Sequence, residues 1–257
     1  MASAKYHAVA NWKLFPGSLE EAKQYFIKNR KVAVKLKNVK LVICPPVVYL
    51  LPLSRLLTSA KGCPELGAQD VSFNSFGPHT GEISSRMVMD VGASYAIVGH
   101  SERRIWDNNT VISKKAVAAA NEGLKVIVCV GENKRDDQGD YLSFLKTQIE
   151  ESLAGFPVKR LDELFVAYEP VWAIGRDDDP LSIQSLLEMS IYVKKILNDI
   201  FGASDSARIK ILYGGAVNEN NAGAILSLGG FSGVLVGHNS LNFDNFKSML
   251  SVVDFTK

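Results

Sequence analysis

Eight short runs rich in Val, Ile and Leu recur along the whole chain, and their spacing limits the possible folds more than any other feature. They are "YHAVA" near residue 8, "KLVIC" near 42, "ELGAQ" near 67, "YAIVG" near 97, "KVIVCV" near 127, "LFVAY" near 166, "IKILY" near 211 and "GVLVG" near 235. Unbroken apolar runs of this length suit parallel strands covered on both faces, because a strand with one wet face alternates apolar and polar residues. Helical patterns lie between the runs. "GSLEEAKQYFIKN" opens with Ser18 and Glu21 at capping-box spacing. "SIQSLLEMSIYVKKILNDI" places Ile183, Leu186, Leu187, Val193, Leu197 and Ile200 on one side of a helix. Eight strand signals, most followed by a helix signal, predict an α/β fold, a (β/α)8 barrel forming one domain over residues 1–257. An open, doubly wound sheet is the competing arrangement. No Pro/Ser/Gly-rich linker and no shift in composition divides the chain.

Composition narrows the function classes. With 47% apolar residues, 22% charged residues and a formal net charge of +2, the chain has neither a disordered composition nor a nucleic-acid surface. Its apolar runs fall far short of the roughly 20 residues that span a bilayer, and "MASAKYHAVANWK" has no signal-peptide apolar region. Cys44, Cys63 and Cys129 share no metal-ligand spacing and read as reduced thiols of a cytoplasmic protein.

In a barrel the carboxyl ends of the strands converge on one mouth, where active sites lie. Strand one ends in Asn11-Trp12-Lys13, strand four in His100-Ser101-Glu102, strand five in Gly131-Glu132 and strand six in Glu169. Strands seven and eight end in "YGGA" at 213–216 and "VGHNS" at 236–240. Glycine turns followed by a helix N-terminus form the usual phosphate seat of this architecture. No Walker loop, dinucleotide fingerprint or metal-ligand cluster is present, so the expected ligand is a small phosphorylated metabolite, with no metal and no cofactor.

Glu169 fits a general base, or else a structural ion pair at a strand end. His100 stands where a strand is predicted to turn into a helix, whose N-terminus favours a neutral imidazole that donates to a carbonyl; a satisfied core histidine is the alternative. Glu102, Arg103 and Arg104 crowd it and favour function. Lys13 reads as a point charge, a Schiff-base amine or a surface lysine. Base, neutral donor, cation and phosphate grip together describe proton abstraction next to a carbonyl. The loop "DVSFNSFGPHTGEISSRM" carries Phe73 and Phe76 and reads either as an exposed loop or as a surface buried against a partner.

"NWK" at 11–13, "GHSERR" at 99–104, "CVGE" at 129–132, "AYEPVWAIG" at 167–175 and "YGG" at 213–215 resemble the triosephosphate isomerase family, in its order and spacing from end to end. The resemblance implies interconversion of dihydroxyacetone phosphate and D-glyceraldehyde 3-phosphate through an enediolate, without cofactor, in a cytoplasmic homodimer. It makes Glu169 the base, His100 the electrophile, Lys13 the cation on the substrate and Asn11 its hydrogen-bonding neighbour. Glu102 matches a carboxylate near that lysine, and Ser101 and Cys129 match supports behind the site. Pro170 through Pro180 match a lid, with Gly175 as its phosphate-binding amide, and Gly215, Ala216, Gly237 and His238 fall in the phosphate-binding turns. The 70–86 loop resembles an arm that enters the neighbouring subunit, setting Thr80 beside the partner's Lys13 and Glu82 near the partner's Arg103.

Four departures from the family pattern stand out. Arg176-Asp177-Asp178-Asp179 occupies the lid tip, Ala216 replaces a serine, His238 replaces a glycine, and Asp70 stands where asparagine is usual. Two other readings remain open. One is a non-catalytic barrel that binds phosphometabolites, and the other is a phosphosugar lyase using Lys13 as a Schiff base.

Overall fold

The structure, a computed structural model, describes residues 4–174 and 181–256. Its strands are β1 (Tyr6–Asn11), β2 (Val39–Cys44), β3 (Glu65–Ala68), β4 (Ala93–Val98), β5 (Lys125–Val130), β6 (Leu164–Tyr168), β7 (Lys210–Tyr213) and β8 (Gly233–Val236). Each runs parallel to the next, and β8 returns to β1, so the eight close into a barrel. All eight apolar runs are strands, as the sequence predicts, and the open sheet is excluded.

Several of the helices that cover the barrel begin where the sequence supplies a side-chain cap. Ser18 accepts from the Glu21 N–H at 3.3 Å to start α1 (Leu19–Ala33). After α2 (Val47–Ser54), Ser84 caps α3 (Ser85–Asp90) and Asn108 caps α4 (Asn109–Glu122) in the same way. After α5 (Asp140–Ser152), Ser182 starts α6 (Ile183–Phe201). The buried side of α6 is Leu186, Met189, Ser190, Val193, Ile196 and Leu197. The sequence stripe therefore misses Met189 and Ile196, and its Leu187 is only half-buried.

Side chains alternate along each strand, which sorts the core in two. One set fills the shell between barrel and helices. The other, including Val9, Val42, Ile97, Ile127, Cys129, Ala167, Leu212 and Leu235, fills the barrel itself. Two residues towards the amino ends of the same strands, the inward set becomes charged. His7 lies in register with Lys40, Tyr95 with Lys125, and Phe165 with Lys210, with Glu65 nearby on β3.

The 70–86 loop projects as a finger. Its neck is closed by the Ser72 N–H donating to the Ile83 carbonyl at 2.8 Å, and residues 75–82 are exposed, Phe76 almost fully.

Burial, with help from Lys210 and Lys125, lowers the pKa of His7 to about 4 from 6.5. Between those values the unfolded chain binds a proton that the folded chain refuses, so stability falls as pH drops through this window. We expect a loss of up to about 3 kcal/mol from pH 6.5 to 4, from roughly 1.4 kcal/mol per unit. Urea unfolding of wild type against His7→Phe checks this, because the variant should lack that slope.

Candidate active site

The carboxyl ends of β1, β4, β6, β7 and β8 surround a cavity of about 130 Å³. Asn11, Lys13, His100, Glu169, Gly215, Ala216, Gly237 and His238, all singled out from the sequence, line it.

Glu169 follows β6 directly, and its N–H donates to the Val130 carbonyl at 2.7 Å, which extends the barrel pairing by one residue. Its side chain is only 3% exposed, and Oε2 has no hydrogen-bond partner among the described residues. A buried carboxylate short of donors is costly, and such groups gather where a structure is built for chemistry. Glycines make room for it on both sides. A Cβ on Gly131, after β5, would lie 1.8 Å from the Glu169 carbonyl oxygen, and one on Gly214, after β7, 2.7 Å from the Glu169 Cγ. Behind it, burial and then the Glu169 carboxylate push the Cys129 thiol well above its usual range, so it stays protonated and can donate to that carboxylate.

His100 Nε2 lies 3.6 Å from Glu169 Oε1, too far for a hydrogen bond, so neither group is committed to the other. The helix that the sequence places after His100 does not form. Residues 101–106 are consecutive turns, and the His100 carbonyl accepts from the N–H groups of Arg103 and Arg104 at 2.7 and 3.1 Å. The same turns carry the Glu102 N–H to 3.2 Å from His100 Nδ1. An N–H donor at Nδ1 requires a lone pair there, which leaves the ring proton on Nε2, facing the cavity.

Lys13 has a φ of 52°, a left-handed backbone that a lysine adopts only when its surroundings impose it. Three contacts do so. Its N–H donates to Asn11 Oδ1 at 3.0 Å, and Gln69 Nε2 bridges the Lys13 and Cys44 carbonyls at 2.9 Å each. The chain then aims the ammonium at Glu102 Oε1, 2.7 Å away. Gln69, next to Asp70, carries no signal in the sequence, because a half-buried amide tying two loops leaves no pattern to read.

After β8 the backbone enters a 3-10 turn, His238–Leu241, and the exposed His238 ring packs edge-on to Phe15 at 6.4 Å. After β7, Ala216 is buried, and its carbonyl accepts from Asn221 Nδ2 at 2.7 Å. Ser101 is half-buried and does not line the cavity. Gly175 and most of the lid tip lie outside the described residues. The start of that segment is the 3-10 turn Val171–Ala173, anchored to Glu132. Glu132 Oε1 accepts from Arg135, Tyr168 and Trp172 at 3.0, 2.9 and 3.2 Å, and its carbonyl from the Val171 N–H.

Of the residues expected at a subunit contact, Thr80 and Glu82 are exposed on the finger, and the Arg103 side chain lies 3.2 Å from Asp70. Asp70 shares Lys115 with Asp107, at 2.8 and 2.6 Å. The carboxylate in place of an amide is thus accounted for within one chain.

A family model for triosephosphate isomerase matches residues 7–253. The triosephosphate isomerase of Geobacter metallireducens is 34% identical over 94% of this chain and 96% of its own. That of Dehalococcoides mccartyi is 36% identical over 93% of each. The crystal structure of the enzyme from Bartonella henselae superposes with a TM-score of 0.81 at 29% identity, covering 96% of this chain and 98% of the other.

One feature of the geometry can be checked directly. Side-chain nitrogen NMR at neutral pH is expected to show His100 as the Nε2–H tautomer, with an unprotonated Nδ1 held in a hydrogen bond. A predominant Nδ1–H signal would contradict the turn geometry.

Proposed function

The chain belongs to the triosephosphate isomerase family and interconverts dihydroxyacetone phosphate and D-glyceraldehyde 3-phosphate; on that premise we propose which of its residues carry the reaction. The substrate phosphate sits on the turns after β7 and β8, against the backbone of Gly215, Ala216, Gly237 and His238. Glu169 takes the proton from the carbon next to the carbonyl. His100 donates its Nε2–H to the carbonyl oxygen, which becomes negative in the enediolate, and Lys13 opposes that charge. Glu169 then returns the proton to the neighbouring carbon, while the hydroxyl proton passes from one oxygen of the enediolate to the other beside His100 Nε2. Asn11 holds the Lys13 backbone, Glu102 steers the ammonium, and Cys129 supports the carboxylate from behind. Lid closure by residues 170–180, with the Gly175 amide on phosphate, would exclude water from the enediolate.

The observation that carries this assignment is the buried Glu169 carboxylate, with one oxygen unpartnered among the described residues and the other 3.6 Å from the His100 donor. A nucleophilic role for Lys13 fits less well, because its ammonium is engaged by Glu102 at 2.7 Å. We also propose a cytoplasmic homodimer. Phe76 on the finger, Leu14 on the first loop and Trp106 beyond β4 are 93%, 90% and 69% exposed, and apolar exposure on this scale suits a partner surface.

Shortening the base in Glu169→Asp is expected to lower kcat by about 10²-fold or more, the usual worth of a positioned base, and to change KM far less. A coupled assay of glyceraldehyde 3-phosphate conversion checks this, and an unchanged kcat removes Glu169 from the chemistry. Gly214→Ala should also lower kcat, because its Cβ collides with the Glu169 side chain. Borohydride with dihydroxyacetone phosphate should trap no adduct on Lys13; an adduct would favour the lyase.

A further inference from the structure

At the amino ends of the strands, opposite the catalytic cavity, the inward layer brings together three ammonium groups and one carboxylate. Lys40 pairs with Glu65 Oε1, and Lys125 reaches Glu65 Oε2 at 2.9 Å and the Tyr95 hydroxyl at 3.4 Å. Lys210 donates to the Asp162 carbonyl at 3.2 Å, while the Asp162 carboxylate is taken by Arg208 at 2.6 Å. Aromatic faces fix two of the cations, with Lys125 4.6 Å from the Tyr95 ring centre and Lys210 5.2 Å from that of Phe165. Each ammonium has three donors, so these contacts leave N–H groups free for another acceptor.

Two further observations point to a ligand. A cleft of about 550 Å³ opens beside this layer, lined by Lys40, Lys61, Lys125, Glu65 and Ser94. His7, in the same layer and only 8% exposed, keeps its Nδ1 buried without a partner among the described residues.

We propose that this amino-terminal mouth of the barrel is a second binding site, for a small dianionic oxyanion of the phosphate or sulfate class seated between Lys40 and Lys125 at the cleft, with Lys210 adding positive charge from β7. The charge balance supports it. Glu65 is held below the usual carboxylate range because hydrogen bonds from Lys40 and Lys125 outweigh its burial, so it neutralises only one cation. Burial chiefly lowers Lys210; the Asp162 carboxylate opposes that shift and the nearby Lys125 charge adds to it, and a bound dianion would relieve the repulsion between the two ammonium groups. The site is separate from the triose site. From His7 to Asn11 is four residues of strand, roughly 13 Å of rise.

Three of the four histidines test it together, because His7 stands in this mouth, while His100 and His238 line the catalytic cavity. The groups acting on His7 are Lys210, Lys125, Glu65 and Lys40. Potassium phosphate is titrated into the full chain, with potassium chloride at matched ionic strength as control, and histidine side-chain NMR is followed. A saturable shift of His7 with phosphate, accompanied by a rise in its titration midpoint from about 4, supports the site. Lys125→Gln should weaken the His7 response at least tenfold, Lys125→Arg should keep it, and both should leave the His100 and His238 responses and kcat/KM unchanged. If Lys125→Gln does not fold, Lys40→Gln takes its place. A His7 response that chloride reproduces, that never saturates or that survives loss of the lysine overturns the proposal. Failure of the Glu169 assignment would leave this result untouched, because the readout is binding at the other end of the barrel.

Discussion

Closing eight parallel strands into a ring forces every second side chain towards one axis, and most of what this protein does follows from how that axis is filled. Its middle is apolar and dry, with Ile97, Ile127, Ala167 and Leu212 from neighbouring strands. The two ends have room and water, and there the chain places charge. At the carboxyl end the polar groups reach the axis from loops whose backbones are themselves constrained. At the amino end they reach it from the strands directly.

The carboxyl end depends on two unfavourable local states held in place by their neighbours. Glu169 is buried with one oxygen lacking a donor among the described residues, while Lys13 adopts a backbone that its side chain disfavours. Asn11, Gln69 and the Cys44 carbonyl hold the lysine, and the pairing of Glu169 with Val130 holds the carboxylate. Neither state would survive in isolated loops. A rigid barrel can carry the cost because its own packing is dense and continuous.

The eight strands were legible because buried parallel strands read as unbroken apolar runs, and Glu169, His100 and Lys13 were legible because strand ends in such a fold face one mouth. The turns after His100 were not. "SERR" suits a first helical turn, and only the tertiary setting shows that the chain tightens into successive turns that deliver an N–H to Nδ1. Gln69 and the tie from Glu132 to Trp172 were illegible for the same reason, since a side chain bridging segments distant in sequence has no periodicity. The stripe on α6 erred because Met189 and Ile196 lie inside a broad buried face wider than the pattern used to draw it. The charged amino-terminal layer was visible only as single lysines until the register aligned them.

The bare backbone on either side of Glu169 bears on attempts to give this scaffold new chemistry. Libraries for such barrels commonly diversify the residues that end the strands, yet here two of those positions tolerate no side chain at all while the carboxylate stays where it is. Randomising them would chiefly return molecules whose Glu169 carboxylate has been pushed aside. A designer must therefore either leave both sites untouched or relocate the acid first.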